Sequence, residues 1–447
     1  MKVLFPKKYF TPYWNILYLH TLLFLVWPLV HTIALRKLLL LITAGIGIYM
    51  LFRHERRVAI LNQPWLKLMG LLLLWTAVHA AFISQNSDAW KEFFGQWFTV
   101  YVALFAGIGL GLVSTKVAQK KYCYILLASA LAIPVAYLVV NLYEWINLGY
   151  LPVGFMKPRE DNDVRLGMDL KTSLTFSVEM LAAFSSGHLL NNWKQTGRGS
   201  LGTIWMLPII LALLVGFVSE SKNLIILTLL NLILLVIVQG FRNGAVTVGR
   251  LMLWIFAIVL CTTLTIQNSI SANKIWKRGL SDIRISLDID KYDNWKNFLS
   301  YGLPENEFGE ELPETLYLRL AYAHAGLRAA LENPWGYGVT RKAMEDIEKE
   351  KYPDIYISNA HNGYLNLSCA VGIPGLLLFV FAMIAVISQL VHSNSKWALP
   401  AIWMIGLYLV HWFVDAIDRD HFIQLFIYVV ALMTTLALVD RNEDGQC

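Results

Sequence analysis

Apolar runs of about twenty residues, separated by short polar turns, recur along nearly the whole chain. Wound as a helix, such a run spans the ~30 Å hydrocarbon layer of a bilayer. Hydrocarbon offers no partner to a backbone N–H or C=O, so a helix is the form in which these runs cross it. A chain that is 57% hydrophobic and only 15% charged has more apolar surface than the core of a soluble enzyme would hide. The fold class is therefore an all-α polytopic membrane protein.

The hydropathy pattern predicts about twelve transmembrane helices, at 13–33, 37–52, 66–83, 97–115, 123–143, 174–191, 201–219, 223–241, 251–267, 363–391, 398–414 and 422–439. The first is too long for a signal peptide and reads as an uncleaved span. Turns carrying Arg53, Arg56 and Arg57, then Lys116, Lys120 and Lys121, then Lys194 and Arg198, then Arg242 and Arg250, then Lys396, alternate with mixed or acidic ones. The positive-inside rule places this basic set, with both termini, in the cytoplasm. Arg36 and Lys37 disagree, since they fall on the outer side between the first two spans. Three parts follow: helices one to nine over 1–266, a larger outer helical region over 267–362, and helices ten to twelve over 363–447.

The formal charge of +6 resides in these short turns, which argues against a nucleic-acid partner. Of the four cysteines, Cys123, Cys261 and Cys369 lie in apolar runs and Cys447 is terminal, so neither a disulfide framework nor zinc spacing is present. No P-loop, dinucleotide fingerprint or HExxH occurs, which speaks against a nucleotide-driven pump.

In the outer region, Leu316, Leu320, Ala323 and Leu327 recur at helical spacing and predict a helix over Leu312–Leu331. Asn333-Pro334 stops it, Gly336 and Gly338 make a turn, and the charged Arg341–Lys351 stretch reads as a short surface helix. His361 and Asn362 then stand where the polar region meets the tenth apolar run. A neutral imidazole accepts a proton near pH 7, so His361 is a candidate general base, although a histidine at a membrane interface is more often structural. Arg319, flanked by Tyr317 and Tyr322, is a candidate for gripping a pyrophosphate, against a weak surface ion pair with Glu314. Arg328, nine residues on, falls on the opposite helix face. Lys222, in VSESKN, stands near a helix N-terminus that would favour an anion; otherwise it is a snorkelling lysine. Glu179 is an intramembrane carboxylate, suited to proton coupling in a transporter or to structural hydrogen bonding. Asp415 and Asp418 would bind a metal or polarise a hydroxyl, with helix capping as the commoner role. KPREDNDVR, Lys157 to Arg165, is a second outer lip or a solvated loop.

The block HNGYLNLSCAVGIPG resembles the H-N-x-x-L and following G-x-x-G stretch of bacterial O-antigen ligases and their Wzy-type polymerase relatives. RLAYAHAGLRAALENPWGYG is similar to that superfamily's segment before the histidine, and VSESKN to its serine-rich turn. There the family usually carries an arginine, and this chain has Lys222. The resemblance implies a GT-C-like membrane glycosyltransferase of lipopolysaccharide biosynthesis in the bacterial inner membrane, its site facing the periplasm. It would move a glycan from an undecaprenyl-pyrophosphate donor to a sugar hydroxyl of lipid A–core oligosaccharide, inverting the anomeric centre, without metal or other cofactor. His361 would activate the acceptor, and Arg319 and Lys222 would stabilise the departing pyrophosphate, with Asn362, Tyr322 and Arg341 as further candidates. The alternatives are a Wzy-type polymerase, whose acceptor is another lipid-linked repeat, and a lipid-linked glycan transporter.

Overall fold

A computed structural model describes residues 12–29, 32–114, 119–148, 164–192, 203–219, 221–242, 274–357, 359–416 and 420–440. These residues form helices and no strands, joined by short turns. The longer helices are α1 Pro12–Val26, α2 Ile33–Arg53, α3 Pro64–Val78, α4 Phe98–Ser114, α5 Gln119–Leu148, α6 Val164–Asn192, α7 Leu207–Val218 and α8 Lys222–Arg242. After them come α9 Lys274–Leu287, α10 Glu314–Glu332, α11 Ala343–Lys351, α12 Gly363–Val391, α13 Ala398–His411 and α14 Asp420–Asp440. Among the described residues, seven helical stretches are long and apolar enough to cross a membrane, and Tyr13–Val26, Ile204–Val218 and Ala398–His411 are shorter apolar helices. The chain is an all-α polytopic membrane protein. The stretch 251–267 expected to be the ninth span, most of the loop bearing KPREDNDVR, and Asp418 lie outside the described residues.

The membrane core is built around α4. Its glycines let α2 approach on one side and α14 on the other: a Cβ at Gly109 would lie 2.3 Å from Gly47 Cα, and one at Gly107 would lie 2.1 Å from Tyr428 O. Lipid supplies no hydrophobic drive between helices, so close backbone packing and polar pins replace it. Tyr428 Oη meets His20 Nδ1 at 2.6 Å, joining α14 to α1. Trp403 Nε1 donates to Asn231 Oδ1 at 2.6 Å, joining α13 to α8. Tyr101 Oη donates to Met69 O at 2.7 Å, joining α4 to α3.

The discordant Arg36 has a structural explanation. It is buried, and its Nη1 donates to Trp27 O at 3.1 Å, at the end of α1. It closes the α1–α2 turn by satisfying a helix-terminal carbonyl. A guanidinium used in this way carries less weight as a topology signal.

Residues 274–357 form a helical layer. Its long helix, α10, covers the stretch that the spacing predicts to be helical. Tyr317, Leu318, Ala321, Tyr322, Ala325, Gly326, Ala329 and Ala330 are buried, whereas Leu327 and Leu331 are exposed. The inward face is the small-residue one because the side chains behind it are close: a Cβ on Gly326 would lie 2.7 Å from Ala360 Cβ. The leucine stripe has the right period and faces elsewhere. In α11, expected to be a surface helix, Ala343, Met344, Ile347 and Glu348 are buried.

Gly372 breaks α12, at φ 75 and ψ 173. On one side of the break Gly363 N donates to Trp412 O at 2.8 Å. On the other, the Phe379 ring stacks on the Trp412 ring at 4.7 Å. In a straight helix the sixteen residues between them would span about 24 Å, so the break folds residues 363–371 back as a separate arm. Three carbonyls at the break are taken up from outside the helix. Tyr337 N donates to Cys369 O at 2.8 Å and Gly338 N to Ala370 O at 3.1 Å. Trp75 Nε1 donates to Val371 O at 2.8 Å. In return Ile373 N donates to Pro334 O at 2.9 Å. Gly336, at φ +83, and Gly372, at φ +75, meet backbone to backbone, and a Cβ on Gly336 would lie 2.4 Å from Gly372 N. The NPWGYG turn and the GIPG break are thus two halves of one clasp.

Candidate active site

The arm begins at the polar-to-apolar junction, where asparagines shape the backbone. Asn359 Oδ1 accepts from His361 N at 2.8 Å, and Asn366 Oδ1 accepts from Ala360 N at 2.9 Å. Asn362 caps the arm, its Oδ1 accepting from Leu365 N at 3.1 Å. Held between these bonds, His361 takes φ 49, and it is the one non-glycine residue with positive φ among those described. That conformation costs on the order of 1 kcal/mol or more and persists where surrounding bonds over-determine it. The half-buried imidazole lies parallel to Tyr322, 6.0 Å apart and tilted by 3°. Tyr322 is buried and donates to Tyr356 O at 3.3 Å, and burial pushes its phenol above the ordinary range. It therefore acts as a neutral, fixed wall behind the imidazole.

Arg319 is three residues before Tyr322, one helical turn away on the same side of α10. Its Nη1 donates to Val414 O at 2.8 Å. The alternative ion pair with Glu314 is absent from the described contacts. Arg328 is on the other face as the spacing requires, and its Nη1 lies 2.7 Å from Asp290 Oδ1. Arg341 is also elsewhere, with its Nε 3.3 Å from Glu92 Oε2 in the α3–α4 connection.

Four consecutive residues after α13 collect the rest. Trp412 O accepts from Gly363 N. Phe413 O accepts from Asn362 Nδ2 at 3.2 Å. Val414 O accepts from Arg319. Asp415 Oδ2 accepts from Asn223 Nδ2 at 3.1 Å, and Asn223 follows Lys222 at the start of α8. The turn 412–415 therefore draws together three separate elements: the α8 start, α10 and the arm. Lys222 is exposed beside it, with no ion-pair partner among the described residues. Asp415 uses its oxygens structurally, Oδ1 accepting from Ala416 N at 2.8 Å while Oδ2 holds Asn223. Among the described residues no three His, Cys, Asp or Glu side chains form a group suited to a metal ion.

Glu179 faces His411, the last residue of α13. Glu179 Oε2 lies 2.5 Å from His411 Nδ1, and both side chains are buried. Sequence reasoning found Glu179 without its partner, and found Asp415 without the backbone oxygens of 412–414 beside it. The asparagines at 359 and 366 carried a signal, since asparagine is a turn and cap former and SNAHNGYLN holds three of them.

Residues 207–380 match a family model described as O-Antigen ligase. Over this segment the chain is similar to the O-antigen ligase family. Lys222, Arg319 and His361 all fall within the matched residues, while Glu179 and the 411–415 turn fall outside them. An O-antigen ligase family domain implies a membrane enzyme of the ligase or polymerase type that handles a lipid-linked glycan. No curated protein matches the chain.

Proposed function

We propose that this protein is an O-antigen ligase of the bacterial inner membrane. Its donor is a glycan on undecaprenyl pyrophosphate, and its acceptor is a sugar hydroxyl of lipid A–core at the periplasmic face. The observation that carries this reading is the turn 412–415, which holds Arg319, the residue after His361 and the residue after Lys222.

His361 takes the proton from the acceptor hydroxyl as its oxygen bonds to the anomeric carbon. The bond from that carbon to the pyrophosphate oxygen breaks, and undecaprenyl pyrophosphate leaves with the electron pair. A single displacement inverts the anomeric centre. Negative charge grows on the pyrophosphate as the bond breaks, so cations already fixed in place act most strongly in the transition state. Arg319 offers a planar fork, and Lys222 a point charge beside the start of α8. Asn362 sets the arm that carries His361, and Tyr322 sets the plane of its ring. Two fixed cations perform the charge neutralisation that a metal would otherwise supply, so the reaction proceeds in EDTA.

The test is transfer by purified protein in proteoliposomes, given lipid-linked glycan with either lipid A–core or a second lipid-linked glycan. Product on lipid A–core without nucleotide, lost in His361→Ala, supports the ligase. Product only on the second lipid-linked glycan makes the protein a polymerase. Movement of the glycan across the bilayer with no new glycosidic bond makes it a transporter. Loss of product on adding EDTA overturns the metal-free step.

A further inference from the structure

We propose that Glu179 and His411 are a positioning pair, which sets the candidate site from within the membrane without touching substrate. This rests on the reading of Arg319, His361 and Lys222 as the working residues of a glycosyl transfer.

The hydrogen bonds that hold Arg319, Asn362 and Asn223 all end on the turn 412–415, so the turn's own placement bears on theirs. Its backbone hangs from His411: Val414 N and Asp415 N both donate to His411 O, at 3.0 Å and 3.1 Å. The fourteen residues of α13 cover about 21 Å of a ~30 Å layer, so the helix alone does not carry the turn out to bulk water. What fixes its end laterally is the imidazole of His411 against the Glu179 carboxylate of α6, at 2.5 Å. Each residue is 5% exposed. The other charges around His411 belong to the site itself, namely Asp415 of the turn and Arg319 of α10. The Nδ1–Oε2 contact is a close ion pair rather than an aligned hydrogen bond, and His411 Nε2 has no hydrogen-bond partner among the described residues.

A buried ionisable pair in a membrane segment is costly, and an apolar pair of similar volume often holds a fold as well or better. What the apolar pair lacks is direction. An imidazole–carboxylate contact defines one orientation of the α13 end, whereas apolar side chains tolerate several. Displacements of about 1 Å in a catalytic group cost up to ~100-fold in rate. Stability and turnover therefore respond differently to this pair.

The experiment uses full-length protein in proteoliposomes, comparing wild type, Glu179→Gln, and the double variant Glu179→Leu with His411→Leu. Melting temperature, kcat, KM for the acceptor, and amide exchange at Val414 and Asp415 are measured. The expected result is a double variant that melts within a few degrees of wild type, exchanges faster at both amides, and loses at least tenfold in kcat with little change in KM. Glu179→Gln, which keeps the shape and loses the charge, falls between. Wild-type kcat in the double variant overturns the proposal, as do unchanged exchange and a kcat that falls only in step with folded protein. If wild type itself transfers to neither acceptor, the assigned reaction fails, and the exchange measurement still decides whether the pair sets the turn.

Discussion

Replacing Gly336 with alanine tests how the clasp holds His361 in place. A Cβ at Gly336 would sit 2.4 Å from Gly372 N, 2.6 Å from Ala370 O and 2.9 Å from Val371 C, all backbone atoms of the facing half. Side chains that meet such a clash can rotate away, and a backbone held by hydrogen bonds has to move. The φ of +83 adds a penalty of about 1–2 kcal/mol for any residue with a Cβ. Separation of the halves weakens the bonds Tyr337 N to Cys369 O, Gly338 N to Ala370 O and Ile373 N to Pro334 O. At roughly 0.5–1.5 kcal/mol each, their full loss brings the local cost to about 2.5–6.5 kcal/mol. With a factor of ten for about 1.4 kcal/mol, opening of the clasp becomes roughly a hundred to ten thousand times more frequent. Hydrogen exchange at the Tyr337, Gly338 and Ile373 amides reads this directly, because the three are protected by the bonds at issue. Turnover is expected to fall as well, since the clasp anchors the far end of the arm that starts at His361. Gly338→Ala is the control. Its Cβ would have only the Ser84 side chain as nearest contact, at 3.5 Å to Oγ, which is ordinary contact. If Gly336→Ala exchanges and turns over like Gly338→Ala, the clasp does not position the arm and the reasoning from close approach is wrong.

Arg319→Ala removes a fixed cation, and kcat should drop by about 10²–10³; Arg319→Lys keeps the charge without the fork and should recover only a small part of it. Lys222→Ala should cost ~10–100-fold in turnover, the worth of one charge-assisted hydrogen bond of about 1.5–3 kcal/mol, whereas Lys222→Arg, the family's residue, should retain activity; an inactive arginine variant would mean the site is built around an ammonium. Glu348 is fully buried in α11, and burial holds its carboxyl above the ordinary 4.5, against partial opposition from Lys351 and Arg328. A raised folded value means that ionisation costs the folded state more than the unfolded one, so stability is lost as pH rises above 4.5. Glu348→Gln should therefore melt higher than wild type at pH 7 to 8 and converge with it at pH 4, and parallel melting curves across that range would refute the account. In the membrane, Gly109→Val should lower the melting temperature sharply, because its Cβ would lie 2.3 Å from Gly47 Cα; overpacking of this kind costs ~1–3 kcal/mol or more.

Local chemistry alone determined a good deal of this protein. Run length and the absence of hydrogen-bond partners in hydrocarbon make the chain helical and membrane-spanning, and described helices overlap eleven of the twelve predicted stretches, with 251–267 outside the described residues. The placement of Arg319 and Arg328 on opposite sides of α10 follows from 3.6 residues per turn, and their partners, Val414 and Asp290, lie apart accordingly. The candidate residues themselves were legible too, because HNGYLN and VSESKN are short motifs read within a single turn of chain. Tertiary structure decided the rest. Periodicity names the faces of α10 without saying which is buried, and the nearby Ala360 methyl selects the Ala and Gly face over the leucine stripe. The fold at Gly372 depends on a second segment, NPWGYG, to accept its freed carbonyls. The turn 412–415 gathers the site through backbone oxygens, and every residue has one, so no side-chain pattern marks it. Glu179 reads as a lone carboxylate until helix packing brings His411 to it across 232 residues of chain. Contacts of that kind are set by how the helices pack, and packing sums over pairs that a linear sequence keeps apart.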